Sequence, residues 1–236
     1  MNPDSEYDAA AHLELFPSGH STAASANTVL PEATVRRLTS YLRALDLVNE
    51  EQTTVSSQGL AEAAGTNSAT LRKDLSLMGT YGRRGVGYDV KLLRELLENT
   101  LGLNREWRVM LVGAGNLGRA LAGYAGFSSH GFRFVGVVDN NPDLVGMKIH
   151  DLEVSSSDKI SAIVVEHRAN LAVVTVPGAA AQHVVDELVE AGVRNILSFA
   201  PVRVTVPAGV TVRRVDVARE IQMLAYFAVA GGGMDK

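Results

Sequence analysis

Cysteine is absent from all 236 residues. That excludes disulfides, thiolate metal centres and cysteine nucleophiles. No apolar run approaches the roughly 18 residues of a membrane span. The N-terminus lacks the basic start and apolar core of a signal peptide, so the expected compartment is the cytoplasm. No internal repeat is present. Residues 1–30 contain no Lys or Arg, only Asp4, Glu6, Asp8 and Glu14. Charge of one sign and a Ser/Ala/Asn-rich composition without an apolar period predict an unfolded tail there.

What is present reads differently once that tail is set aside. The chain has a formal net charge of −4, which argues at first against a generically basic DNA binder. Yet residues 31–105 hold ten Lys/Arg against nine Asp/Glu, and residues 106–236 hold twelve against thirteen. The tail supplies the acidity and the remainder is nearly neutral. Gly102 and Asn104 end a helical pattern before an apolar run, Val109–Val112. The expected organisation is a tail over 1–30, a first domain over 31–105, a second over 106–212 and a terminal helix with its tail over 213–236. A length of 236 residues suits one large domain or two small ones.

In the first domain, Pro31 suits the first turn of a helix, with Val35, Leu38, Leu42 and Leu45 as its apolar stripe. Arg36, Arg37 and Arg43 lie off that stripe. A second helix is predicted over 58–64, capped from Ser56 or Ser57. Gly65 allows a sharp turn, and Asn67 or Ser68 caps a third helix over 69–77 with Leu71, Leu75 and Met78 inward. Helix, glycine turn, helix is the helix-turn-helix pattern, whose second helix enters the major groove. Gly79–Tyr88 follows, with four glycines and Arg83 and Arg84 at its centre. It reads as a wing whose arginines reach phosphates or a narrow minor groove. Asp89 caps a last helix, 90–101. The candidate DNA contacts are Ser57, Asn67, Arg72, Lys73, Arg83 and Arg84.

In the second domain, the strand Val109–Val112 runs directly into Gly113-Ala114-Gly115-Asn116-Leu117-Gly118, and a helix is predicted over 119–126. In this fingerprint the first glycine makes the turn, the second lets backbone approach a pyrophosphate, and the third lets helix pack on strand. A second strand, 132–138, ends at Asp139. An acid there accepts both ribose hydroxyls and repels a 2′-phosphate, which favours NAD(H) over NADP(H). A helix over 157–166, a strand over 171–176, a helix over 179–191 and a strand over 196–201 continue the alternation of a doubly wound parallel sheet. Ligands bind at the carboxyl ends of such strands, which brings Pro177, Phe199 and Ala200 to the rim.

No histidine stands beside a partnering acid, and His183 is expected within a helix far from any strand end. The dinucleotide is therefore read as bound and not consumed, and no catalytic residue or metal site is assigned. An NAD-dependent oxidoreductase with a helical dimerisation module remains the alternative. It would need an acid or base that the sequence does not offer. A CoA-binding Rossmann protein is a further alternative. After the last predicted strand, Asp216 caps a helix with Val217, Ile221, Leu224 and Phe227 on one side. That helix packs on its own sheet or exchanges onto a second subunit.

Taken together, the strings Leu71–Ser76, Tyr81–Tyr88, Gly113–Gly118, Phe199–Pro201 and Val215-Asp216 resemble the Rex family of redox-sensing transcriptional repressors. The resemblance runs from about residue 31 to residue 227. It implies a winged-helix domain joined to a Rossmann domain, and a homodimer with an exchanged C-terminal helix. It implies palindromic operator DNA as the partner, bound when NADH is scarce and released as NADH rises, with NAD+ competing. It places Arg72 and Lys73 on the recognition helix and Arg84 in the wing. It makes Tyr124, Asp216 and Arg43 a switch: Asp216 bonds Tyr124 with NADH present and pairs with Arg43 without it. Where members carry Phe or Leu after that aspartate, this chain has the smaller Val217.

Overall fold

The computed structural model describes residues 30–231 other than Glu50, Tyr81 and Arg84. The tail over 1–30, Leu30 excepted, and Arg84 therefore lie outside the described residues. The chain divides into two compact units between Leu101 and Gly102. That is slightly before the sequence-based boundary at 105/106, and Trp107 Nε1 donates to the Gly102 carbonyl at 2.9 Å within the second unit.

In the first unit, α1 (Glu32–Asp46), α2 (Ser57–Ala63), α3 (Ser68–Leu77) and α4 (Val90–Leu101) join a two-stranded ladder, β1 (Thr54–Val55) with β2 (Tyr88–Asp89). Three side-chain caps define the helix starts. Ser56 Oγ accepts from Gly59 N at 3.0 Å, Asn67 Oδ1 from Thr70 N at 2.8 Å and Asp89 Oδ1 from Leu92 N at 2.9 Å. Each satisfies an otherwise orphaned N–H. Gly65 turns α2 into α3 with φ +68°. Leu38, Leu42, Leu45, Leu60, Leu71, Leu75, Leu93 and Leu97 form the core. Two expectations fail. Val35 is exposed, and Tyr41, left off the predicted stripe, is fully buried. The α1 face is wider than the three/four spacing of leucines suggests and includes Thr34 and Tyr41.

In the second unit, the sheet has the order β5-β6-β4-β3-β7-β8-β9. Its strands are β3 (Trp107–Val112), β4 (Phe132–Asp139), β5 (Lys148–Ile149), β6 (Leu152–Ser156), β7 (Leu171–Val174), β8 (Asn195–Ser198) and β9 (Thr211–Arg214). All pairs are parallel except β5 with β6. The order departs in both directions from β3, so the carboxyl ends of β3, β4 and β7 open a crevice. Side chains alternate across the sheet. Met110 and Val112 join one core with Ile160 and Val164 of α7 (Ile160–Glu166) and Val185 and Leu188 of α8 (Gly178–Glu190). Val109 and Leu111 join the other with Val137, Val154 and Val173.

Here too the sequence-based elements shift. The helix expected over 119–126 is α5 (Asn116–Ala122), broken at Gly123-Tyr124 before the single turn α6 (Ala125–Ser128). Tyr124 sits at ψ 107°, extended, and cannot continue a helix. The strands β6 and β9 escaped detection. Both are short and end in two adjacent polar residues, Ser155-Ser156 and Arg213-Arg214, and they are held by pairing with β4 and β8. The terminal helix α9 (Val217–Gly231) begins where Asp216 Oδ1 accepts from Arg219 N at 3.1 Å. Its large apolar side chains are exposed, Leu224 and Tyr226 each at 67%. None of the large apolar residues of α9 is buried against this chain.

Candidate DNA and nucleotide sites

In the first unit, α2, a glycine turn and α3 carry the candidate DNA contacts. Arg72 and Lys73 are exposed on α3, and Arg72 donates to Ser57 Oγ on α2 at 3.1 Å. The structure thus brings Ser57 and Arg72 together. Asn67 is also on the exposed side, but its carboxamide oxygen is committed to capping α3. The wing closes on Arg83: its carbonyl accepts from Val86 N at 3.0 Å and Gly87 N at 2.9 Å, and its own N–H donates to Gly87 O at 2.8 Å. Gly87 has φ +101°, and a Cβ there would fall 2.2 Å from the Val55 carbonyl oxygen. So the base of the wing is pressed against β1. Burial pushes the Tyr88 hydroxyl above its ordinary range, while a hydrogen bond from the Gly82 backbone and the Arg72 charge act in the other direction. The Tyr88 ring adjoins the wing, since a Cβ on Gly82 would fall 3.0 Å from its Cζ.

One buried cluster escaped the sequence reading. Asp74, between Lys73 and Leu75, is 2% exposed. Its carboxylate accepts from Arg37 Nε at 2.6 Å and Nη2 at 2.8 Å, from Tyr41 Oη at 2.8 Å and from Thr34 Oγ1 at 3.4 Å. Burial alone would raise its pKa. The bonds from Arg37 and Tyr41 outweigh burial and hold it below the ordinary carboxylate value. The signal was available: Asp74 stands three residues after Leu71, on the inner face.

In the second unit, the glycine corner is tight. Gly113 follows β3 with φ +105°, its N–H donates to Val138 O at 2.8 Å, and a Cβ there would meet Thr175 Oγ1 at 2.6 Å. A Cβ on Gly118 would lie 1.9 Å from the Gly113 carbonyl oxygen. Gly115, the N-cap of α5, has nothing within 4 Å of its Cβ position, so its outer side is open to a ligand. Asp139 Oδ2 accepts from Ala114 N at 2.6 Å and Oδ1 from Asn141 N at 2.8 Å. Each carboxylate oxygen retains a lone pair for a further donor. Gly113, Gly115 and Asp139 border a cavity of about 810 Å³ with Val112, Thr175 and Pro177. The corner, the open Gly115 backbone and the acid across from it fit a dinucleotide.

Not every expected residue faces that cavity. Ala200 is buried and its N–H donates to Ser198 Oγ at 3.3 Å. Phe199 packs on the second core. Asn116 Oδ1 accepts from Arg119 at 2.8 Å, and Leu117 is exposed. His183 is a correction. It lines the cavity, because α8 starts at the carboxyl end of β7, and its Nε2 lies 3.3 Å from Glu187 Oε1.

Of the switch residues, Arg43 stands in the last turn of α1, in the first unit. Tyr124 is 64% exposed and meets Phe127 edge-on at 5.5 Å. Asp216 caps α9 and its Oδ2 lies 3.4 Å from Arg214 Nη2. In the single chain it engages these groups and not Tyr124.

A winged helix-turn-helix followed by a Rossmann-type sheet with a glycine corner defines a class: a DNA-binding regulator built on a dinucleotide fold. Comparison with known proteins narrows the class. Residues 29–76 match the family described as putative DNA-binding protein N-terminus, and residues 104–202 that described as CoA binding domain. The redox-sensing transcriptional repressor Rex of Streptomyces griseus is 48% identical over 207 residues, 87% of this chain and 82% of the relative. That of Carboxydothermus hydrogenoformans is 46% identical over 201 residues, 84% and 95% of the two. Among solved structures, RSP in complex with beta-NAD+ and operator DNA is 32% identical with a TM-score of 0.80, covering 89% of this chain and 100% of that one. The chain belongs to the Rex family of redox-sensing transcriptional repressors.

Proposed function

We propose that the chain is an NADH-responsive repressor that binds palindromic operator DNA as a homodimer and leaves it as NADH fills the cavity at the glycine corner. The observation that carries this reading is the presence, on one chain, of a helix-turn-helix with outward Arg72 and Lys73 and a dinucleotide-sized cavity beside Asp139. The RSP complexes with beta-NAD+ and operator DNA and with beta-NADH support it from a relative.

In this reading the 31–105 segment binds DNA and the 106–212 segment binds nucleotide. Arg72 and Lys73 meet base edges and phosphates, with Ser57 orienting Arg72. Asn67 and the wing arginines Arg83 and Arg84 approach the backbone. The amides at the start of α5, from Gly115, face the pyrophosphate and Asp139 accepts the ribose hydroxyls, with Pro177 at the rim of the cavity. A reduced nicotinamide is uncharged and the oxidised ring is cationic, so apolar surroundings favour NADH. Tyr124, Asp216 and Arg43 form the element that couples the sites, since a ligand moves an equilibrium only by binding its states unequally. A shift from 1:99 to 99:1 needs about 5.5 kcal/mol of differential binding, which two cavities can share.

The exposed apolar side of α9 supports its exchange onto a second copy, over residues 213–236. A groove of about 290 Å³ on the sheet face, lined by Val109, Phe134, Leu171 and Val173, is a seat of matching character. Leu224→Asp with Phe227→Asp should convert the dimer to monomer in analytical ultracentrifugation; an unchanged dimer removes α9 from the interface.

The deciding experiment is an operator gel shift with titrated NADH. Loss of the shifted band as NADH rises is expected, and constant affinity ends the switch reading. The match to a CoA-binding family supports a second ligand class. Calorimetry with NADH, NAD+, NADPH and CoA separates the two. Asp139 predicts NADH as the tightest, because CoA and NADPH would bring a phosphate towards the carboxylate.

A further inference from the structure

We infer that Asp74 is a positioning residue for DNA binding: its buried carboxylate, gripped by Arg37, Tyr41 and Thr34 of α1, sets the rotation of α3 and so the direction in which Arg72 and Lys73 leave it. The inference rests on the DNA-binding reading of α3 and adds to it a residue that touches no DNA.

Besides this cluster, α3 is held by an apolar stripe and by one exposed bond, from Arg72 to Ser57 Oγ on α2. Its inner stripe is Leu71 and Leu75, both fully buried, with Met78 partly so. Apolar contacts are non-directional, and a ten-residue helix resting on two leucines can roll with little change in buried area. A rotation of roughly 20° at a radius of about 6 Å displaces a side-chain base by about 2 Å. That exceeds the tolerance of a hydrogen bond. The Asp74 cluster removes this freedom. The guanidinium of Arg37 meets the carboxylate with two nitrogens, at 2.6 and 2.8 Å, in a planar fork that is directional where leucine is not. Tyr41 approaches the same carboxylate at 2.8 Å, and Arg37 Nη2 also donates to Thr34 Oγ1 at 3.2 Å. All three partners sit on α1, one turn apart, so the carboxylate is fixed against a single rigid element.

Stability alone does not account for such a group. Replacing a buried ion pair by apolar residues of similar volume is often neutral or stabilising. What the apolar replacement lacks is direction. Asp74 is bracketed by Lys73 and Leu75, so whatever fixes its direction fixes theirs through the helix.

The test uses the full chain and two probes: a duplex that the wild type selects from a randomised inverted-repeat pool, and an unrelated duplex of equal length. The variants are Tyr41→Phe, which changes no charge, and the apolar triple Arg37→Met/Tyr41→Phe/Asp74→Leu. The triple variant is expected to keep its fold by circular dichroism, its NADH affinity and its affinity for the unrelated duplex. Its preference for the selected duplex should fall about tenfold or more, the size of a lost base contact. Tyr41→Phe should lower that preference about threefold, one of several bonds being removed. A folded triple variant with wild-type preference overturns the inference. If the triple variant does not fold, an unchanged preference in Tyr41→Phe overturns it instead. A matched fall on both duplexes, with the salt slope reduced by about one, would make Arg37 a phosphate contact and also overturn it. A wild type that enriches no duplex overturns the DNA reading beneath it, a separate failure.

Discussion

The two units solve one problem, aiming functional groups, by different means. In the sheet unit the backbone does it. Val112 pairs in register with Val138 on one side and Val174 on the other, so the carboxyl ends of three strands are fixed by ladder hydrogen bonds. Gly113 and Asp139 follow from that register, and the core behind them is apolar, with Ser198 its one buried polar side chain among the described residues. Among the described residues the helical unit has the two-residue ladder β1–β2 and one isolated bridge, Arg83 with Gly87. Its functional helix is oriented by side chains, and Thr34 and Asp74 are accordingly buried there. Where a ladder sets direction, polar groups can stay out of the core. Where helices pack on leucine alone, direction has to come from a buried charge and its partners.

The sharpest break of this contrast is Gly118→Val. The added Cβ would collide with the Gly113 carbonyl oxygen, a backbone atom that the strand register prevents from yielding. A loss of about 4 kcal/mol in stability, with nucleotide binding abolished, is expected from denaturant unfolding and calorimetry. Next comes Asp74→Ala. Removing one partner of a buried pair should cost about 3 kcal/mol.

The same variant has a pH signature. The folded pKa of Asp74 is depressed, so its stabilisation is present above the unfolded value of about 3.9 and is lost as pH falls through the folded one. Burial and the hydrogen bond to Asp74 push Tyr41 up. Its stabilisation is present below an unfolded value of about 10 and is lost as pH rises. Wild type should therefore weaken at both extremes. Asp74→Ala should show a flatter acid limb, and Tyr41→Phe a flatter alkaline limb. Equal slopes in wild type and variants would contradict the cluster.

A smaller effect is expected of Asp139→Asn. NADH affinity should fall about tenfold, 1.4 kcal/mol, and the discrimination against NADPH should shrink, both read by calorimetry. Smallest is Asn67→Ala, which deletes the α3 cap and should cost about 1 kcal/mol in thermal unfolding.

Much of this was legible beforehand, for identifiable reasons. The caps at Ser56, Asn67 and Asp89 are local hydrogen bonds and leave a local signature. The glycine corner is legible because a tight turn admits few residues. The breaks came where long-range pairing decides. Thr211–Arg214 is a strand only because β8 lies beside it. The run 119–126 keeps a helical spacing that Gly123-Tyr124 interrupts. His183 reads as a surface histidine until α8 is seen to start at the rim of the cavity. Asp74 was hidden by its own type, since a lone aspartate amid Arg72 and Lys73 reads as solvated.

The sequence by itself determined the four helices of the first unit, the glycine corner and the acid at the end of β4, because these depend on neighbours within a few residues. It also located the positive side chains on one helix and one wing, which net charge concealed. The place of Asp74 on the inner face of α3 follows from spacing, and only the tertiary structure decided what its carboxylate grips. Asp74 and Arg37 are 37 residues apart, and no local spacing encodes their meeting. It arises because α1 and α3 both pack on α2 and so come within side-chain reach, where removing a carboxylate from water is tolerable only when a guanidinium and two hydroxyls are already waiting for it.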